Sequence, residues 1–255
     1  MFLQKYQIQP AKYLAARYNA TLDGKKSFRS ITFKGRTFNI RSDAEVIVNW
    51  ILEKKEGEGM VSEAFNGVLR VGDSTDPNVE HGHCTSYAKT QDGSKHAIVL
   101  DIGSNAGFYG LYAAAVGCRT YFFDIQKVCL NWINSAIDNN QFHHAALIPY
   151  PISNTTEMMH LDKQSNGCHG TFTFSKTGDE YYREEQKVSE PLDVQMVRLD
   201  DIFHDAMYHE SSSNNGTNGM GPIALIKIDV EGFEPHVIAS MYNLLRHVQK
   251  DTGKG

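Results

Sequence analysis

The residues with the clearest chemical potential form one glycine-rich segment, Asp101-Ile-Gly-Ser-Asn-Ala-Gly-Phe-Tyr-Gly110. It overlaps the end of a short apolar run, Ile98–Ile102, and leads into a run of small residues with helical composition. Gly103 and Gly107 allow a tight turn and would leave room for a ligand against the backbone. The N-terminus of the following helix would offer unsatisfied N–H donors. The segment therefore predicts a ligand-binding turn between a strand and a helix.

A second acid, Asp124, occupies the position at which a nucleoside-binding site of this kind has a carboxylate. Asp124 ends the next apolar run, about 20 residues after Gly103, where a carboxylate can accept hydrogen bonds from both ribose hydroxyls of an adenosine cofactor. A dinucleotide site would have glycine where Asn105 stands, and the acid Asp101 would repel a pyrophosphate. The same acid suits a cofactor with an ammonium and a sulfonium group. These residues favour S-adenosyl-L-methionine as the cofactor.

A second constellation is Ile226-Lys-Ile-Asp-Val-Glu-Gly-Phe-Glu-Pro235. Lys227 and Asp229 are two apart on a predicted strand and so project to one face, with Glu231 just past the strand end. Ions in so apolar a run are unfavourable unless they are paired or lie at a solvated sheet end. The carboxyl ends of strands are also where α/β sheets bind ligands. We interpret Lys227 as part of a strand-end salt bridge, and Asp229 and Glu231 as functional.

Together these segments resemble the FkbM-type S-adenosylmethionine-dependent methyltransferases over about residues 96–247. The first motif is common to class I methyltransferases. The Lys-Ile-Asp-Val-Glu-Gly run after Leu199-Asp-Asp-Ile-Phe203 is more specific. The resemblance implies a Rossmann-like α/β fold with a mostly parallel sheet and helices on both faces. It also implies O-methylation of a hydroxyl on a sugar or other small molecule.

Two groups of site residues are expected. The cofactor contacts are expected to be Asp101, Gly103, Ser104, Asn105, Gly107, Phe108, Tyr109, Asp124 and Ser153. Among them, Phe108 and Tyr109 either line the cofactor pocket or only pack the helix against the rest of the fold. A hydroxyl nucleophile needs a general base, for which Asp229 and Glu231 are the candidates and His236 an outside one.

The elements that position these residues fall into two predicted domains. Residues 1–95 are expected to form an N-terminal α+β extension with a hairpin around Lys34-Gly35 that caps the substrate side. Residues 96–255 are expected to form the methyltransferase domain, whose β-α-β-α-β order, with its third strand predicted over 145–152, implies a parallel sheet. A sheet of this family would continue past the helix predicted at 235–248. We therefore expect a C-terminally truncated domain with an apolar edge beside strand 223–230.

Composition excludes several other classes. The chain has 255 residues, 41% of them hydrophobic, and a formal net charge of −5. These values are typical of a globular protein and not of a disordered one, and they give no electrostatic footprint for nucleic acid. No apolar run is long enough to span a membrane. The start lacks the layout of a secretory signal, which favours the cytoplasm but leaves the secretory pathway open if the chain is a fragment.

Neither the four cysteines nor the His81-Gly-His83-Cys84 segment is interpreted as a functional site. Cys84, Cys118, Cys129 and Cys168 lie far apart with no Cys-x-x-Cys pair, which is read as free thiols. His81-Gly-His83-Cys84 is read as a solvated loop, so no metal site is expected.

Two other functions stay open at this point. A nicotinamide-dependent oxidoreductase would share the ribose-binding acid, although Asn105 counts against it. A non-catalytic protein that retained the fold would keep the same motifs. The acceptor, a small molecule or a glycan, is expected to lie against residues 1–97 and 153–192.

Overall fold

The fold is taken from a computed structural model that describes residues 27–53, 57–69, 84, 97–161, 164–165, 168, 188–189, 192–204 and 221–246. The strands are β1 (Phe28–Phe33), β2 (Arg36–Arg41), β3 (Ile98–Ile102), β4 (Arg119–Phe123), β5 (Ala145–Ile148), β6 (Met158–Leu161), β7 (Gln164–Ser165), β8 (Val188–Ser189), β9 (Leu192–Gln195) and β10 (Ile223–Ile228). The α-helices are α1 (Glu45–Glu53), α2 (Gly57–Leu69), α3 (Phe108–Val116), α4 (Lys127–Asn140), α5 (Leu199–Ile202) and α6 (Glu234–Ala239). No described helix is long and apolar enough to cross a membrane.

A four-stranded parallel sheet is the centre of the described fold. Its strand order is β10-β3-β4-β5, and its register places Lys227 of β10 opposite Asp101 of β3. The remaining strands form two-stranded antiparallel pairs: β1 with β2, β6 with β9, and β7 with β8. The parallel sheet with its helices confirms the predicted α/β architecture and is consistent with a Rossmann-like fold.

The sheet separates two apolar layers because successive side chains of a strand point to opposite faces. Val99 of β3 joins one layer with α3, α4 and the hairpin, whereas Ile98 and Leu100 join the other. The second layer is closed by α5 and by Val237 and Met241 from α6 and the residues after it. Helices therefore cover both faces of the sheet, as predicted.

The predicted hairpin is present and packs into the first layer. Lys34 and Gly35 form its turn with φ of 45° and 77°, the conformation of a tight hairpin turn whose twist matches that of the strands. Phe33 at the end of β1 contacts Phe108 and Tyr112 of α3 edge-on, with ring centroids 5.1 and 5.0 Å apart. The hairpin thus shares a core with the parallel sheet. The boundary predicted near residue 95 stays a prediction.

Two predicted elements are shorter than expected. The strand predicted over 145–152 ends at Ile148, because Pro149 and Pro151 lack the N–H groups that a ladder needs. The helix predicted over 235–248 divides into α6 and a second helical stretch at 242–246. At the break, the Ser240 hydroxyl donates to the Val237 carbonyl, an interaction that competes with helix continuation.

The outer side of β10 lacks a neighbouring strand among the described residues. Each residue of β10 is half-buried, whereas β3 is buried throughout. Ile238 and Tyr242, from the helical stretches after β10, are exposed. The predicted truncation itself stays a prediction.

The expectation of free thiols is wrong. Cys84 is bonded to Cys118 and Cys129 to Cys168. The partners are 34 and 39 residues apart in sequence, so nothing local in the sequence marks them. Disulfides persist mainly in oxidising compartments, which weighs against the cytoplasm favoured above. His81 and His83 lie outside the described residues, and no group of potential ligands within those residues could hold a metal ion.

Candidate functional site

The strand ends of the parallel sheet surround an open crevice. The turns after β3, β4, β5 and β10 line it, as is usual for ligand sites in α/β sheets. The lining residues are Ile102, Gly103, Asn105, Phe123, Asp124, Ile125, Gln126, Tyr150, Pro151, Ile152, Asp229, Val230, Glu231 and Phe233. The crevice thus brings together five predicted site residues from three separate segments, namely Gly103, Asn105, Asp124, Asp229 and Glu231.

Asp101 lies beneath the crevice and not in its wall. The residue is 1% exposed, and its Oδ2 accepts a hydrogen bond from the Gly110 N–H in the first turn of α3 at 2.9 Å. A carboxylate at a helix N-terminus is favoured by the helix dipole and by the unsatisfied N–H groups there. Asp101 therefore supports the glycine-rich turn from within.

Lys227 connects the two sequence motifs. Its Nζ donates to the Gly103 carbonyl at 3.0 Å and lies 3.4 Å from Asp101 Oδ1 and 3.5 Å from Asp229 Oδ2. Burial acts to lower the pKa of Lys227, but the carboxylates of Asp101 and Asp229 outweigh it and raise the pKa. The ammonium therefore stays charged, and the predicted strand-end salt bridge is confirmed.

The two glycines of the first motif turn tightly, as predicted. Gly103 and Gly107 have φ of 75° and 81°, values that only glycine adopts freely. A Cβ at Gly103 would lie 1.8 Å from the Asp229 carbonyl oxygen, and one at Gly107 would lie 2.8 Å from Ile133 Cγ1. The side of each glycine that a Cβ would occupy is thus filled, by the turn after β10 at Gly103 and by α4 at Gly107, while Gly103 itself lines the crevice.

Hydrogen bonds to β4 hold the turn after β3. The Gly103 and Ser104 N–H groups both donate to the Phe123 carbonyl, at 2.9 and 3.0 Å. The Ser104 hydroxyl donates to the Asp101 carbonyl at 2.6 Å and accepts from the Phe123 N–H at 3.0 Å. Ser104 is buried and absent from the crevice lining, so its visible role is to join β3 to β4.

Asp124 is the most enclosed acid of the crevice, at 8% exposed. Its Oδ2 accepts from the Asn105 N–H at 2.7 Å, and its Oδ1 accepts from the N–H groups of Ile125 and Gln126, both at 2.8 Å. Burial raises the pKa of Asp124 to about 6, against the opposing effect of these hydrogen bonds. A carboxylate oxygen can accept two hydrogen bonds, so Oδ2 retains capacity for a further donor.

The turn after β10 presents two exposed acids. Asp229 and Glu231 both line the crevice, and Glu231 has φ of 54°, a left-handed conformation that is uncommon for residues other than glycine. Partial burial, followed by repulsion from Asp229 and Glu234, raises the pKa of Glu231. The Glu234 carboxylate accepts from the Val230 and Gly232 N–H groups at 3.0 Å and so holds the turn.

Seven predicted site residues lie outside the crevice lining, namely Asp101, Ser104 and Gly107, described above, and Phe108, Tyr109, Ser153 and His236. Phe108 and Tyr109 are buried in the aromatic cluster of the first layer, which favours the packing alternative for both. Ser153 is buried. His236 is exposed and stacks on Phe233 with ring centroids 4.3 Å apart.

Several lining residues were missed by sequence reasoning. Tyr150 follows β5, and Phe233 lies within the second motif, so their positions after strand ends were the available signal. Cys168 carried no signal, yet its sulfur lies 3.0 Å from Asn105 Oδ1.

Comparisons with protein-family models, curated proteins and solved structures found no match to this chain.

The crevice has a strongly acidic character. The described lining residues include the three carboxylates of Asp124, Asp229 and Glu231, and no lysine, arginine or histidine. The nearby ammonium of Lys227 is already paired with Asp101 and Asp229. Such a site favours a cationic ligand or one rich in hydroxyl donors over a phosphate.

Proposed function

We propose that this chain is an S-adenosylmethionine-dependent methyltransferase of the class I, Rossmann-like type. The acceptor is a hydroxyl on a sugar or another small molecule. The observation that carries the proposal is the acidic crevice, with Asp124, Asp229 and Glu231 and no basic side chain among its described residues. S-adenosylmethionine has an ammonium, a sulfonium and two ribose hydroxyl donors, and this set of carboxylates complements all of them.

The nicotinamide alternative fits the crevice less well. A dinucleotide pyrophosphate needs unsatisfied N–H groups in the glycine-rich turn. Here the N–H groups of Gly103 and Ser104 donate to the Phe123 carbonyl, and that of Asn105 donates to Asp124. The neighbouring carboxylates would also repel the phosphates.

The residues around Asp124 suit an adenosine group. The spare acceptor capacity of Asp124 Oδ2 would bind a ribose hydroxyl. Ile125, Tyr150 and Pro151 supply apolar and aromatic surface in the same crevice, against which a purine ring would pack. The turn after β10 would then lie toward the reactive end of the cofactor, which places Asp229 and Glu231 beside the reacting atoms.

When bound, the cofactor supplies an electrophilic methyl group. The task of the chain is to align the acceptor oxygen and to exclude water. We assign removal of the hydroxyl proton to the Glu231 carboxylate, because it lines the crevice and its pKa is raised by partial burial and by the neighbouring acids. Asp229 is already paired with Lys227, so we assign it to binding the positive charge of the cofactor.

The test is calorimetry with S-adenosylhomocysteine and NAD in parallel, followed by measurement of S-adenosylhomocysteine release with a panel of sugars and small alcohols. We expect binding of S-adenosylhomocysteine and not of NAD. Glu231→Gln should retain binding and lose turnover by about 10²–10⁴-fold. Glu157→Gln, an exposed carboxylate outside the crevice lining, is the matched control and should retain both.

Three other outcomes of these measurements would each support a different interpretation. Tight binding of NAD alone would replace the methyltransferase by the oxidoreductase. Binding of S-adenosylhomocysteine without turnover of any acceptor would favour a non-catalytic protein. Full turnover by Glu231→Gln would move the base to another residue.

A further inference from the structure

One of the two disulfides reaches the crevice. Cys129 lies in the first turn of α4, just after Asp124 and the lining residues that follow it. Its partner Cys168 is 6% exposed, and the Cys168 sulfur lies 3.0 Å from Asn105 Oδ1. The disulfide therefore ties Cys168 to α4, the helix after β4. It holds the Cys168 sulfur next to the side chain of Asn105 in the turn after β3.

Asn105 is the residue through which this contact can act. Its φ of 51° lies in the left-handed region, which asparagine tolerates better than most residues. Two contacts fix its position: its N–H donates to Asp124 Oδ2 at 2.7 Å, and its Oδ1 lies in close contact with the Cys168 sulfur, which has no proton to donate while it is in the disulfide. Loss of the second contact would weaken the first, and with it the placement of the Asp124 carboxylate.

The other disulfide provides an internal contrast. Cys118 comes just before β4, at the amino end of the sheet, whereas Asp124 follows the carboxyl end of the same strand. The strand separates them by about 20 Å at roughly 3.3 Å per residue. Neither Cys84 nor Cys118 lines the crevice.

We propose that the Cys129–Cys168 disulfide is a positioning element of the cofactor site, which holds Asn105 and Asp124 in their binding arrangement and makes cofactor affinity depend on the oxidation of this pair. The inference rests on the proposed function. Reduction by a dithiol would break the S–S bond and form two thiols, while the dithiol supplies two electrons and two protons and becomes a disulfide. The covalent constraint on Cys168 beside Asn105 would then be lost.

The experiment compares two double variants, Cys129→Ala/Cys168→Ala and Cys84→Ala/Cys118→Ala. The disulfides span 39 and 34 residues, so loop-closure entropy predicts nearly equal losses of stability. Only the first variant should weaken S-adenosylhomocysteine binding, by roughly tenfold, the effect of misplacing one charge-assisted hydrogen bond. It should also speed hydrogen exchange at the Asn105 amide without ligand.

A third variant covers the case in which the first does not fold. Asn105→Gly keeps both disulfides and the backbone N–H but removes the side chain that contacts Cys168. It should weaken binding to a similar extent, and dithiol treatment should then add little, whereas dithiol should weaken binding by the wild type. Additive effects of Asn105→Gly and dithiol would overturn the inference.

The measurements distinguish this inference from the proposed function. If the oxidised wild type does not bind S-adenosylhomocysteine, the proposed function fails. In that case, hydrogen exchange at the Asn105 amide still tests whether the Cys129–Cys168 disulfide positions this turn. If the wild type binds and the two double variants bind equally well, the inference is wrong while the proposed function stands.

Discussion

Two neighbouring strands of the sheet end in acids that share one lysine but have opposite environments. Asp101 of β3 and Asp229 after β10 both lie within 3.5 Å of Lys227 Nζ, yet their side chains are 1% and 61% exposed. β3 has a strand on each side and α3 beyond its end, whereas β10 is paired only with β3 in the described part of the sheet. The buried acid therefore supports the fold, and the exposed acid is the one that can meet a ligand.

The contrast also separates two kinds of motif residue. In the first motif, Asp101, Ser104 and Gly107 make internal contacts. In the second, Asp229 and Glu231 face the crevice. A residue can thus belong to a ligand-binding motif because it shapes the turn and not because it touches the ligand.

Lys227→Met should have the largest effect on this arrangement. It leaves the buried Asp101 carboxylate without its cation, and breaking a buried ion pair from one side costs about 3–5 kcal/mol. Denaturant unfolding measures the loss. The control is Lys34→Met, which removes a surface ion pair with Glu63 and should cost less than about 1 kcal/mol. Equal losses would show that the lysine does not stabilise the two strand ends.

Gly103→Ala should have the next largest effect, because it forces the turn after β3 away from β10. The left-handed conformation costs about 1–2 kcal/mol for alanine, and the collision with the Asp229 carbonyl adds about 1–3 kcal/mol. Gly35→Ala is the control, since φ at Gly35 is 77° against 75° at Gly103 and a Cβ there meets nothing within 4 Å. The difference in unfolding free energy between the variants isolates the collision, and no difference would contradict it.

Exchanging each acid for its amide tests the comparison itself. Asp101→Asn should lower the unfolding free energy by about 1–3 kcal/mol, since it weakens buried hydrogen bonds to a charged group. Asp229→Asn should change it by no more than about 0.5 kcal/mol, as expected at an exposed position. Binding of S-adenosylmethionine, which carries the positive charge assigned to Asp229, should weaken in the second variant at unchanged stability. The reverse order of stabilities would refute the roles assigned to the two acids.

Asp124, which follows β4, is 8% exposed and so lies between these extremes. It should produce the smallest effect, a pH dependence of binding. The ionised carboxylate accepts ribose hydroxyls, so affinity for S-adenosylhomocysteine should rise with pH through about 6, the pKa of Asp124. At pH 5 only about a tenth of the carboxylate is ionised, which lowers apparent affinity by about tenfold relative to high pH. Calorimetry from pH 5 to 7.5 measures this, with Asp124→Asn as the control that should give a flat profile.

The raised pKa of Asp124 also makes the unfolding free energy depend on pH. Binding should strengthen as the pH rises, whereas this contribution to stability decreases. A carboxyl with a pKa of about 6 in the folded chain and 3.8 in the unfolded chain stabilises the fold below pH 3.8. That contribution is lost as the pH rises through 6. Asp124→Asn should remove this part of the pH dependence of the unfolding free energy, and an unchanged dependence would contradict the raised pKa.

The regular elements near the site could be predicted because their signals are local. The apolar run at Ile98–Ile102 and the Lys34-Gly35 turn gave a strand and a hairpin that the structure confirms. The strand predicted over 145–152 is too long because Pro149 and Pro151 cannot donate ladder hydrogen bonds, so β5 ends at Ile148. Among the site residues, the crevice contains Gly103 and Asp124, which were predicted from their spacing, and Asn105, which was expected from the family resemblance.

The sequence by itself determined approximately where β3, β4 and β10 end, since alternation, apolar runs and turn residues act over a few positions. It therefore also determined that Asp124, Asp229 and Glu231 would gather at one edge of a parallel sheet. Only the tertiary structure decided that Asp101 is buried, that Lys227 binds it, and that Cys168 contacts Asn105. Those facts depend on the packing of segments far apart in the chain, because burial and pairing are set by neighbours in space and not by neighbours in sequence.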